Sequence, residues 1–174
     1  MSALVITAAQ AQNFHEFIRY DPYADVASSL RLLAVAIEDV RGHPGTWKWA
    51  VLSSHSAVQG ALVCSLLRPD QFEIWDERSA KRLAEFLENS RTDPGAESPR
   101  LWLASFRTLL DRAQSDSRPS DARLRLTHQK HEQLLSLTEK RDEFTHFKVD
   151  GWSISSADLC GLDAVSKAIE NFKS

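Results

Sequence analysis

The stretch 46–67 constrains the fold more than any other part of the chain. It carries Trp47, Trp49, Ala50, Val51, Ala57, Val58, Ala61, Leu62 and Leu66, and Arg68-Pro69-Asp70 closes it. Small side chains (Ala50, Ser54, Ala57, Ala61, Ser65) recur at spacings of three and four. One side of a helix built from this stretch therefore stays thin and lets a second helix approach closely. Apolar groups lie on its other sides as well, which marks it as the most buried helix, with the others packed around it.

The neighbouring segments repeat the helical period. Phe14, Phe17 and Ile18 give a stripe over 8–20, which Asp21-Pro22 breaks, because proline disfavours the α conformation in the residue before it. Val26, Leu30, Leu33, Ala34 and Ile37 give the inner stripe of a helix over 23–40, ended by the turn residues Gly42, Pro44 and Gly45. A short linker and a charged helix fill 71–89, with Asp76 or Ser79 as cap and Leu83, Phe86 and Leu87 as a narrow apolar face. A loop over 90–99 precedes a helix over 100–114, marked by Leu101, Trp102, Ala104, Ser105, Leu109 and Leu110. The polar run 115–121 reads as a mobile loop. A further helix starts near Asp121 or Thr127 and extends to about Phe147, with Leu124, His131, Leu134, Leu135, Thr138 and Phe144 inward. A turn at Asp150-Gly151 leads to a last helix over 155–172, lined by Leu159, Leu162, Val165 and Ile169.

No strand-like alternation persists and no internal repeat is present, so the expected fold is an all-α bundle of about five to seven helices. Its 174 residues suit one domain with a sizeable core, within which 71–120 is a candidate helical insertion. A net charge of −3 argues against broad attraction to nucleic acid or anionic membranes, though not against a small basic site. No apolar stretch approaches the roughly 20 residues of a membrane span and 1–12 is unlike a signal peptide, so the expected location is the cytoplasm. Cys64 and Cys160 lie in apolar surroundings and read as free thiols.

The functional signal is concentrated in Arg141-Asp142-Glu143-Phe144-Thr145-His146. Asp142 and His146 are four residues apart, about 40° around a helix, so the carboxylate is placed to accept an imidazole N–H and fix its tautomer. Arg141 is offset from Asp142 by about 100°, so a straight helix does not aim Arg141 and His146 at one point. They converge only if the helix ends near His146 or if a second subunit completes the site across a two-fold axis. Taken by residue type alone, the segment is also what a solvated helix end looks like.

These residues resemble the R-X4-6-H signature of the HEPN superfamily, in which Asn, Asp or His commonly follows the arginine, as Asp142 does here. The adjoining Phe147-Lys148-Val149-Asp150-Gly151-Trp152-Ser153-Ile154 resembles an uncharacterised prokaryotic group of HEPN-like proteins. The resemblance implies a HEPN-like helical bundle and a homodimer that brings two motifs into one cleft. It further implies metal-independent endoribonuclease activity, without a cofactor, in which the ribose 2′-hydroxyl attacks the adjacent phosphodiester. In that chemistry His146 is the general acid/base, Arg141 clamps the phosphate, Asp142 orients one of them and Lys148 adds a phosphate contact. The expected setting is defence or toxin–antitoxin biology, with RNA as substrate and an antitoxin as a candidate partner. The alternative is a non-catalytic HEPN-like dimerisation or interaction module.

Other candidates read as ordinary structure. His128 and His131 form an HxxH pair with metal-ligand spacing, but Asp142 lies about 21 Å of helix rise from His128, so exposed histidines are the better reading. His55, among Ser53, Ser54, Ser56 and Gln59, reads as part of a solvent-facing stripe; the alternative is that it faces a cleft and meets the Arg141–His146 region. The five tryptophans suit core or interface filling. No phosphate-binding Gly-rich loop, HExxH or GxSxG motif occurs.

Overall fold

The computed structural model describes residues 21–69 and 72–146. The helices expected over 8–20 and 155–172, together with Lys148, Trp152 and Cys160, lie outside the described residues. Five α-helices make up the described part: α1 (Pro22–Asp39), α2 (Trp47–Leu66), α3 (Glu77–Asn89), α4 (Phe106–Gln114) and α5 (His128–Thr145). The fold is an all-α bundle, and no helix among the described residues is long and apolar enough to cross a membrane.

Side-chain caps set most of the helix starts. The Asp21 carboxylate accepts the Ala24 N–H at 2.9 Å, with Pro22 at the first helical position, where its missing N–H costs nothing. Asp76, Ser105 and Thr127 cap α3, α4 and α5 in the same way.

α2 is the central element. It contributes Leu62 and Leu66 to a core shared with Ile74, Phe106, Leu109, Leu110 and Leu135. Through Ala50 and Val51 it joins a second core with Leu33, Ala36 and Leu137. α1 lies along it at close range. A Cβ on Gly60 would come within 2.6 Å of Val26 Cγ2, so glycine is what lets the two helices approach there. The buried line of α1 is Ser29, Leu33 and Ala36, rather than the expected one through Ala34 and Ile37, which are exposed.

The chain before α4 departs from expectation. Residues 100–105 are extended, not helical. Leu103 forms a single antiparallel bridge with Trp75. The Asp76 N–H donates to the Trp102 carbonyl and the Ala104 N–H to the Ile74 carbonyl, both at 3.0 Å. The buried Ser79 hydroxyl accepts the Trp102 N–H at 2.9 Å. These tertiary partners satisfy the backbone, so helix formation offers 100–105 no advantage.

The polar run after α4 is also tied down. Arg118, 7% exposed, donates to Glu73 Oε2 at 2.8 Å, to the Ser65 carbonyl at 2.8 Å and to the Ala122 carbonyl at 3.2 Å. Arg112 donates to the Glu73 and Trp75 carbonyls at 2.7 and 2.8 Å. The two guanidinium groups clasp 72–75 against α2 and α4. Leu124 precedes α5 rather than lying on it, and its N–H donates to the Ala113 carbonyl at 2.8 Å.

Candidate functional site

α5 presents one face to α2 over its last three turns. Leu134, Leu137, Thr138, Arg141 and Phe144 recur at threes and fours, and Leu134, Leu137 and Phe144 pack into the core that holds Ala50 and Val51. This spacing turns Thr138 and Arg141 toward the bundle as well.

The helix ends at the second of the two candidate residues. Thr145 is its last residue, and His146 is the C-cap, in extended conformation (φ −98°, ψ 107°), its N–H donating to the Asp142 carbonyl at 2.9 Å. The Thr145 hydroxyl donates to the Arg141 and Asp142 carbonyls at 3.0 and 3.2 Å, closing the last turn. His146 is exposed.

The pairing within the segment differs from expectation. Asp142 meets Arg141, not His146: Arg141 Nη1 lies 2.9 Å from Asp142 Oδ1. A guanidinium reaches its sequence neighbour despite the 100° offset because its stem is long and flexible. The Arg141 side chain is 34% exposed, so the pair is only partly screened by water. Lys140 Nζ pairs with Glu143 at 3.6 Å, so Asp142 and Glu143 each have a cation beside them.

His55 belongs to this region, against the solvent-facing reading. Ser53, Ser54 and His55 are all buried, and only Ser56 of that run is exposed. The imidazole sits on the Phe106 ring, with centroids 4.8 Å apart. Burial pushes its pKa down to about 4; Arg141 lowers it further and Asp142 opposes the shift. His55 is therefore neutral at physiological pH and close enough to both charges to feel them. Nothing in its own segment distinguished a buried polar face from an exposed one; the signal lay in Thr138 and Arg141, at core spacing on the facing helix.

The remaining candidates fall elsewhere. His128 is exposed, and His131 is half-buried with Nδ1 2.9 Å from Gln114 Nε2, so the two do not form an exposed pair. Trp49 and Trp102 are exposed, stacked under Lys48 and Arg100, rather than filling the core. Burial raises the pKa of the half-buried free thiol Cys64, which disfavours a reactive thiolate. An open groove of about 550 Å³, lined by residues such as Arg82, Glu85, Phe86, Asn89 and Asp93, contains none of the α5 candidates. Comparison with protein-family models, with curated proteins and with solved structures returns no match.

Proposed function

We propose that the chain is a HEPN-like protein acting as a metal-independent endoribonuclease, as a homodimer, in a defence or toxin–antitoxin setting. The observation that carries the reading is the end of α5. Arg141 lies on the inner face of the helix, paired with Asp142, while His146 leaves it on an extended residue and stands in solvent. A guanidinium held in place suits an anionic phosphate, and an accessible imidazole suits proton transfer. The 2′-hydroxyl gives its proton to one group as it attacks phosphorus, and the leaving 5′-oxygen takes one from another. Two imidazoles, one from each protomer, supply both roles. Asp142 acts on Arg141 in this scheme, restricting the guanidinium, rather than on His146. Lys148 adds a second cation for the phosphate.

The Arg141–Asp142 ion pair equally favours a second reading, a non-catalytic interaction module of the same fold, because it occupies one edge of the guanidinium. Incubation of a mixed RNA pool in EDTA with wild type, Arg141→Ala and His146→Ala separates the two. The proposed activity requires cleavage by wild type and a loss of about 10²-fold or more in each variant. Equal cleavage by all three would place the activity elsewhere, and no cleavage by a folded dimer would favour the interaction module.

A further inference from the structure

Among the described residues, the buried side-chain atoms without a hydrogen-bond partner include Ser54 Oγ and His55 Nε2 on α2 and Thr138 Oγ1 and Arg141 Nε on α5. Ser54 and His55 are adjacent on α2 and at least nine-tenths buried. Thr138 and Arg141 are one turn apart on α5, which packs on α2. We propose that His55 is a positioning residue for Arg141, and that with Ser54 and Thr138 it forms a polar seat that fixes the inner edge of the guanidinium. The inference deepens the proposed function and rests on it in taking Arg141 as the phosphate-contacting group.

The chemistry of the four atoms is complementary. Arg141 Nε–H can only donate. A neutral imidazole protonated at Nδ1 offers Nε2 as an acceptor. The two hydroxyls can donate and accept, so one bound water can close the set. The Ser53 hydroxyl commits its proton to the Trp49 carbonyl at 2.6 Å, unlike that of Ser54. An imidazolium would have no lone pair to offer and would repel the guanidinium, so the seat works only with His55 neutral. That is the form burial and Arg141 favour. With Nε held inside and Nη1 on Asp142, the remaining edge of the guanidinium is the one left to meet an anion.

The test is made on the ¹⁵N-labelled full chain. In wild type the Arg141 Nε–H is expected to exchange with solvent at least roughly tenfold more slowly than those of the exposed Arg78 and Arg107. The His55 ring nitrogens are expected to report a neutral, Nδ1-protonated tautomer at pH 6. His55→Leu should abolish the protection and His55→Gln, which keeps an acceptor, should retain it. In RNA cleavage, His55→Leu should raise KM more than it lowers kcat, with His55→Gln close to wild type. Exchange at Arg141 as fast as at the exposed arginines, or an Nε2-protonated His55, overturns the proposal on wild type alone, even if a variant fails to fold. Equal protection in His55→Leu overturns it too. A protected Arg141 in a chain that cleaves no RNA leaves the seat standing and refutes the proposed function instead.

Discussion

Replacing Arg118 with Met is expected to destabilise the fold by about 3 kcal/mol, although the residue lies in the most polar run of the chain. The side chain is 4% exposed and its three acceptors come from α2, from the turn before α3 and from its own loop. Removing one member of a buried charged pair costs about 3–5 kcal/mol, largely because the remaining group is left desolvated. Here the lower end applies. Glu73 is 37% exposed and regains water, and Ala122 is exposed, which leaves the part-buried Ser65 carbonyl as the main casualty. A loss of that size lowers the melting temperature by about 6–12 °C in a domain of this length. Arg118→Lys keeps the charge but cannot reach three separated acceptors, and should lose about half as much. Urea denaturation followed by tryptophan fluorescence measures both, and limited proteolysis within 115–122 should accelerate in Arg118→Met. A change under about 0.5 kcal/mol, the range of an ordinary surface substitution, would show that the clasp is not holding the loop.

Gly60→Ala should destabilise by about 1 kcal/mol, because crowding costs about 1–3 kcal/mol and the helix-propensity gain returns only about 1. Combined with Val26→Ala, which removes the methyl 2.6 Å from the new Cβ, the loss should shrink; strict additivity in the double-mutant cycle would refute the close approach. His55 should make stability depend on pH. Its folded pKa of about 4 lies below the ordinary imidazole value of 6.5, so the unfolded chain binds the extra proton. Its contribution is complete above pH 6.5 and is lost toward pH 4, about 1.4 kcal/mol per unit and roughly 3 kcal/mol in all. The downward shifts of Asp39 and Asp76 act below the ordinary aspartate value of 3.8, so they lie outside this window. A pH profile of urea midpoints for His55→Gln should lack the slope, and an identical profile would refute the assignment.

The helical period made the bundle legible, and the caps at Asp76 and Thr127 stood where polar side chains precede apolar runs. The failures share one cause, partners distant in sequence. Leu101, Trp102 and Ala104 have helix-like spacing, yet Ile74, Asp76 and Ser79 take up the backbone groups around them. The run 115–121 reads as a mobile loop because its composition is polar; the acceptors that tie down Arg118, Glu73 and Ser65, are 45 and 53 residues away. The small-residue stripe marked a close helix contact, but the position where only a glycine leaves room for α1 is Gly60, which that stripe did not include.

The end of α5 shows the same limit within the candidate site. Spacing alone coupled Asp142 to His146 and left Arg141 offset, and the offset is real. What spacing could not supply was α2, which packs on α5 and whose buried His55 feels both Arg141 and Asp142. Arg141 turns inward and draws Asp142 toward itself, and His146, released by the helix terminus, keeps neither. The two members of the proposed motif are thus divided between an inward-facing cation and an exposed imidazole. If the proposed function holds, a phosphodiester that engages Arg141 must be met by an imidazole whose direction the helix no longer dictates. A second protomer is the simplest source of that constraint. Sedimentation equilibrium of wild type tests the dimer, and RNA cleavage by mixed Arg141→Ala and His146→Ala chains tests the cleft. A heterodimer of the two carries one His146, so mixing should restore no activity where two imidazoles are needed. Partial recovery would refute that scheme in favour of clefts that each take one arginine and one histidine from different subunits.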